Sequence, residues 1–155
     1  MAGVFNLFDG EVEPGPFAER PGFGWRNASV GGQLGAKLLG MTLYELETGQ
    51  RTFPYHYHLG MEEWLFVLAG RPTLRGPDGE RTLEPGDVVV FAEGPDGAHQ
   101  VRNDGEEQAR VAILSTKPPL AAGVYPDSGK VGILGAGASF LVASEPQLDY
   151  WAGED

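Results

Sequence analysis

Short apolar segments, each bounded by Gly, Pro, Asp or Asn, recur along most of the chain. Segments of this length and spacing predict β-strands joined by turns. The candidate strands are residues 37–47, 63–69, 72–75, 81–83, 87–91, 98–102 and 110–115. Two turn sequences, GPDG at 76–79 and EPGD at 84–87, separate neighbouring candidates. Since no segment sustains the apolar period of a long helix, the pattern predicts an all-β sandwich or barrel.

The segments on either side of this strand-rich region have a different character. Residues 1–34 combine Gly and Pro with isolated aromatics, which predicts an N-terminal arm packed on the barrel core at 35–117. Residues 118–155 begin at Pro118-Pro119 and are expected to form a C-terminal extension. Within it, the Gly-rich residues 132–137 lack the features of a phosphate-binding loop and predict a turn region. We therefore expect one domain over residues 1–155.

Both faces of the candidate strand at 63–69 are apolar. A strand with one face in water would alternate apolar and polar residues. The outward side chains Trp64, Phe66 and Leu68 are therefore expected to be covered by the arm, the extension or a second subunit. A homodimer is the preferred interpretation.

The net charge of the chain disfavours certain classes of binding partner. Lys and Arg number 11 and Asp and Glu number 22, giving a net charge of −11. Such an acidic surface disfavours nucleic acid and anionic membranes. The absence of cysteine excludes disulfides, thiolate metal sites and cysteine nucleophiles. Residues 1–10 lack the features of a signal peptide, and no apolar run is long enough to span a bilayer, so a cytoplasmic location is expected.

The three histidines of the chain are the candidates for chemistry. His56 and His58 would share one face of a strand, so that both imidazoles can reach one ion. After four intervening residues, Glu63 opens an apolar strand on which Leu65 and Val67 share its face. A carboxylate on such an apolar face is costly unless it is paired or bound to a metal. The third histidine, His99, lies on a separate candidate strand.

The residues around these histidines resemble the two motifs of the cupin superfamily. The first runs from Gly49 through His56-Tyr-His58 and Glu63 to Gly70, with Gly49 one residue further from His56 than usual. The second begins at Gly86 and ends at His99 and Asn103. There, Ala92 stands where the motif has proline, and four residues instead of two precede His99. Neither departure removes a ligand.

The resemblance implies a double-stranded β-helix, a barrel of the jelly-roll type, with a metal inside it. It also implies that His56, His58, Glu63 and His99 ligate one divalent ion, which could be Fe, Mn, Zn, Ni or Co. The neighbouring Glu62 is expected to point outward as the alternate residue of the strand. By the same alternation, Tyr55 and Tyr57 should point away from the ion.

Two classes of function follow from this expected site. The first is a small metalloenzyme acting on an oxygenated substrate, either as a dioxygenase with iron or by isomerase or lyase chemistry with another ion. The second is a non-catalytic module that contains the metal and binds a small ligand such as a sugar or an organic acid. Because the family supports many reactions, the fold alone does not choose between them.

Overall fold

The computed structural model describes residues 3–135 and 138–154, and it shows an all-β jelly roll. The strands are β1 (Glu13–Pro14), β2 (Arg26–Ala28), β3 (Leu39–Leu46), β4 (Tyr57–Leu59), β5 (Glu63–Ala69), β6 (Thr73–Gly76), β7 (Gly79–Thr82), β8 (Val88–Phe91), β9 (Gln100–Arg102), β10 (Ala109–Thr116), β11 (Leu120–Tyr125), β12 (Lys130–Gly135) and β13 (Ala138–Ala143). One four-residue helix, α1 (Val30–Gln33), precedes β3. Short 3₁₀ turns lie at Pro95–Gly97 and Pro126–Ser128. None of the helices in the described part of the chain could span a membrane.

The larger layer is a six-stranded antiparallel sheet in the order β1-β2-β3-β10-β5-β8. The long strand β10 lies at its centre and pairs with β3 on one side and β5 on the other. In this register Ser115 lies between Glu63 of β5 and Gly40 of β3. The register therefore places the predicted carboxylate ligand at the end of the layer's central strands.

Two smaller antiparallel sheets form the opposite layer. They have the orders β13-β12-β11-β4 and β7-β6-β9. An isolated bridge between His56 and His99 joins them just before β4 and β9, and a second bridge pairs Arg51 with Arg102. The backbone contact between two predicted ligands is therefore also a structural link between the two sheets.

The main core fills the space between the layers. Leu65 and Val67 of β5 are almost fully buried there, as their shared face with Glu63 predicts. Val101 of β9 and Val111 of β10 are completely buried beside them. Trp25 adds an edge-to-face contact with Tyr44 and donates its indole N–H to the carbonyl of Thr52. This apolar packing fills the interior of the barrel between the two layers.

The outer face of the large sheet is covered in part by the N-terminal segment. Phe66 and Leu68 pack on a second apolar cluster that includes Val12 and Val30 from that segment. Trp64 remains 38% exposed, and its neighbours on the edge strand β8, Val88 and Val90, are exposed as well. The expected cover is thus supplied by the arm for two of the three outward side chains.

The C-terminal segment corrects one sequence prediction. Residues 132–135, which we predicted to be a turn region, belong to strand β12, whereas 136–137 lie outside the described residues. The glycines misled the prediction because strand interiors seldom contain them. Strand β12 pairs with β11, which in turn pairs with β4, the strand of His58. The extension therefore supplies part of the layer that carries the predicted ligands.

Candidate metal centre

The local backbone brings two of the histidines side by side. His56 and His99 exchange both backbone hydrogen bonds, with N–O distances of 3.1 and 2.8 Å. Their rings lie on the same side of this bridge, with centroids 4.6 Å apart. The pairing explains how residues far apart in the sequence reach one site.

His58 and Glu63 come from consecutive strands. Between β4 and β5 the chain reverses through Gly60, whose φ of 78° is one that side-chain-bearing residues rarely adopt. The reversal brings the Glu63 Oε2 within 3.1 Å of His58 Nε2. The loop between the histidine pair and the carboxylate therefore aims the carboxylate at the imidazoles.

The donor atoms of three of the four predicted ligands converge, and the fourth lies beside them. His56, His58 and Glu63 each offer a ligand atom within 4.8 Å of the others. His56 Nε2 lies 3.1 Å from His58 Nε2. His99 is not part of that three-residue group, but its Nε2 lies 3.4 Å from the Glu63 carboxylate. All four side chains thus meet at one place in the barrel.

The hydrogen bonds around the rings indicate which nitrogens are free to bind an ion. The Nδ1 of His56 lies 2.8 Å from the carbonyl of Pro54, and the Nδ1 of His99 lies 2.9 Å from that of Gly97. A carbonyl only accepts, so each Nδ1 carries a proton, and Nε2 is the nitrogen that can bind an ion.

Each of these Nε2 atoms is directed at another predicted ligand. The Nε2 of His56 faces the His58 ring, and the Nε2 of His99 faces the carboxylate of Glu63. A shared cation would replace these contacts with ligand bonds, and histidine ligands fixed through Nδ1 to a carbonyl are typical of metal sites. The donor set therefore fits a divalent metal.

Burial and neighbouring groups shift the protonation of the site. Burial, followed by the nearby His99 and His58, lowers the pKa of His56 to about 4. Burial alone would raise the pKa of Glu63, but hydrogen bonds from His58 and His99 outweigh it and bring that pKa below its usual range. At neutral pH the site therefore presents a neutral imidazole at His56 and an ionised carboxylate, as metal binding requires.

Aromatic rings hold the imidazoles in place. The ring of Phe91 stacks on His99 at 3.7 Å with an interplanar angle of 6°. Tyr125 stacks on His56 at 5.6 Å and 19°, and Phe53 meets the same imidazole edge-to-face at 6.1 Å. The ligands are therefore oriented by packing as well as by hydrogen bonds.

A cavity of about 290 Å³ opens onto these side chains. Its lining combines the ligands with hydroxyl and apolar side chains. The lining residues are Thr42, Tyr44, Phe53, His56, His58, Met61, Glu63, His99, Ile113, Ser115, Tyr125 and Leu134. Sequence reasoning missed Tyr125 and Leu134 because both lie in the segment read as an extension. The alternation of β3 and β10 could have indicated Thr42, Tyr44 and Ser115, which share the inner faces of those strands.

The other side chains near the motifs lie where the sequence predicts. Glu62 is exposed and accepts a hydrogen bond from the indole of Trp64 at 2.9 Å. Tyr55 and Tyr57 do not line the cavity, and the Tyr55 ring lies under the guanidinium of Arg75 instead. Asn103 is fully buried and closes a turn by accepting a hydrogen bond from the backbone N–H of Gly105.

Comparison with known proteins agrees with this arrangement. The Cupin domain family (Cupin_2) matches residues 42–116, which include all four predicted ligands. Residues 42–116 therefore form a cupin domain. Among curated proteins, none matches this cupin.

Solved structures similar to this cupin carry the same fold. One is a provisionally assigned sugar phosphate isomerase from Acidithiobacillus ferrooxidans, with 29% identity, a TM-score of 0.77, and coverage of 83% of this chain and 82% of that chain. Another is a sugar phosphate isomerase of the cupin superfamily from Silicibacter pomeroyi, with 25% identity, a TM-score of 0.77, and coverage of 90% and 89%. The polyketide cyclase RemF from Streptomyces resistomycificus, at 20% identity and a TM-score of 0.60 over 75% of this chain and 80% of its own, shares the fold alone.

Proposed function

We propose that this cupin is a metal-dependent enzyme that acts on a small oxygenated substrate. The observation that carries the proposal is the convergence of the His56, His58 and Glu63 donor atoms within 4.8 Å of one another at the cavity wall. His99 completes the proposed ligand set, since its Nε2 is directed at the same carboxylate. An ionised carboxylate and three imidazoles that converge in a largely buried site favour a resident cation over an unfilled cluster.

The proposed ligands suit several ions. Three imidazoles and one carboxylate are compatible with Fe, Mn, Zn, Ni or Co, so the donor set leaves the ion open. When bound, such an ion would polarise a carbonyl or carboxylate oxygen of the substrate. The chain's own contribution would be to hold the imidazoles through Pro54 and Gly97 and to surround the substrate with the apolar and hydroxyl side chains of the cavity.

Isomerase or lyase chemistry is the reaction class that we favour over oxidation by dioxygen. Its support is the likeness to two structures described as sugar phosphate isomerases, each of which is covered over more than four-fifths of its length. The hydroxyls of Thr42 and Ser115 add groups that can hydrogen-bond a polyhydroxylated substrate.

The charges of the residues that line the cavity indicate which part of the substrate lies inside it. None of the described residues that line it is a lysine or an arginine, whereas proteins bind phosphate groups mainly with such cations or with helix N-termini. We therefore propose that the part of the substrate inside the cavity is a short hydroxycarbonyl or hydroxycarboxylate chain. Any phosphate it carries would lie outside the lining.

A turnover screen tests this proposal. Protein freed of metal would be reloaded separately with manganese, cobalt, iron or zinc and offered short aldoses and ketoses with and without a phosphate. We expect aldose–ketose interconversion, followed by proton NMR, with at least one ion and without oxygen uptake. Oxygen consumption would favour a dioxygenase, and tight binding of a sugar without turnover would favour a non-catalytic module. His58→Ala protein serves as the control without metal.

A further inference from the structure

We propose that the hydroxyl of Tyr125 donates a hydrogen bond to an oxygen of the ligand held at the metal centre, and this inference rests on the proposed function. Tyr125 lies at the end of β11, in the segment that sequence reasoning treated as an extension. Its side chain nevertheless lines the cavity together with His56, His58 and Glu63.

The ring of Tyr125 is fixed beside the ligands. It stacks on the imidazole of His56 at 5.6 Å between centroids and 19° between planes. The ammonium of Lys130, the residue paired with Tyr125 in the β11–β12 register, lies 5.5 Å from the ring centroid. The stack and the cation–π contact hold the ring in one orientation, so its hydroxyl has a defined position.

Two glycines locate that hydroxyl. A Cβ added to Gly123 would lie 3.4 Å from the Tyr125 hydroxyl oxygen, and one added to Gly132 would lie 3.8 Å from the ring. Neither glycine has a positive φ, so the backbone does not require glycine at these positions. Both distances are ordinary van der Waals contacts, so they locate the hydroxyl and the ring against the β11–β12 backbone without requiring glycine there.

The register then brings the hydroxyl to the ligands. Gly123 is the direct partner of His58 in the β4–β11 pairing. Because the Tyr125 hydroxyl lies over Gly123, it lies in the same row of the sheet as His58 and on the cavity side of that row. The ring thus extends from His56 towards His58 along the cavity wall.

The hydroxyl is available to a ligand. Burial is the sole cause of the raised pKa of Tyr125, with no hydrogen bond from a described residue contributing. Tyr44, the other tyrosine of the cavity, differs because the neighbouring Thr42 side chain opposes the effect of burial on its pKa. A phenol keeps its proton at neutral pH and can donate it to an acceptor. A carbonyl, carboxylate or hydroxyl oxygen of a ligand supplies such an acceptor.

The test uses acetohydroxamate, a small oxygen chelator, titrated into cobalt-loaded protein and followed by the visible absorption of the ion. Tyr125→Phe keeps the stacked ring and removes only the hydroxyl. We expect it to bind as much cobalt as the wild type and to bind acetohydroxamate about fivefold to tenfold more weakly, the usual effect of one lost hydrogen bond. The sulfur of ethanethiol is only a weak hydrogen-bond acceptor. The Tyr125→Phe substitution should therefore change the affinity for ethanethiol by less than about twofold.

Tyr57→Phe is the matched control, since Tyr57 neighbours His58 but does not line the cavity. It should leave the affinity for both probes unchanged. If Tyr125→Phe binds acetohydroxamate as tightly as the wild type while cobalt content is normal, the hydrogen-bond assignment is wrong and the metal centre stands. An equal loss for both probes would also overturn it, because that would indicate a disturbed site. Wild-type protein that takes up no cobalt would overturn both proposals.

Discussion

The lowered pKa of His56 makes the metal-free protein sensitive to mild acid. The imidazole is 6% exposed, and its pKa falls to about 4 from an ordinary value of 6.5. In the unfolded chain the same ring takes up a proton near its ordinary value. Between these two values the unfolded state therefore binds more protons than the folded state, and stability falls as the pH falls.

The size of the effect follows from the two pKa values. Lowering the pH from about 7.5 to about 5 should reduce the free energy of unfolding by about 2 kcal/mol through this one group. The lowered pKa of Glu63 acts in the same direction, because its stabilising contribution is lost on acidification. The pH range over which Glu63 acts begins near its ordinary pKa of 4.5 and extends to lower pH. Glu63 therefore adds little to the change in stability between about pH 7.5 and about pH 5.

Urea unfolding of chelator-treated protein at the two pH values measures the difference, with His56→Gln as the control. This variant lacks the titrating ring, so its stability should change by about 2 kcal/mol less than that of the wild type between about pH 7.5 and about pH 5. The comparison uses the change with pH and not the absolute stability, which the substitution itself alters. Equal pH dependence in the two proteins would refute the inference that burial keeps His56 neutral.

Three further predictions concern the ligands, the fold and the assembly. His58→Ala should lose most bound metal whereas Tyr57→Phe keeps it, and metal content equal to wild type in His58→Ala would exclude His58 as a ligand. Asn103→Ala should lower the free energy of unfolding by about 3 kcal/mol, since the buried amide donates to the carbonyls of Leu46 and Glu107; a loss under about 1 kcal/mol in urea would contradict this. A homodimer stays a prediction, supported by the exposed Trp64, and sedimentation equilibrium should give twice the mass of one chain, with a monomer contradicting it.

The sequence predicts the centre of the fold well because strand alternation and ligand spacing act locally. The parity of β5 places Leu65, Val67 and Glu63 on one inner face, as the structure shows. The motif spacing identifies the histidines that the sheets bring together, including His99 from a separate sheet. What local patterns do not contain is the register that pairs His56 with His99 across the barrel.

The C-terminal segment shows where pattern reading fails. Glycine favours turns in most contexts, so Gly123 and Gly132 obscured two strands. In the folded chain the same glycines lie against the ring of Tyr125, a contact that arises only when β11 packs beside β4. A residue that contacts the site through long-range pairing leaves no local signal in the sequence.

We propose that His56, His58, Glu63 and His99 together hold one divalent ion. Elemental analysis of protein purified without chelators and without nickel affinity resin tests it most directly. We predict about one equivalent of a single transition metal per chain, retained through dialysis at neutral pH and released near pH ~4 as the imidazoles take up protons. Protein that contains no metal and takes up none when iron, manganese, zinc, nickel and cobalt are supplied in turn would contradict the claim.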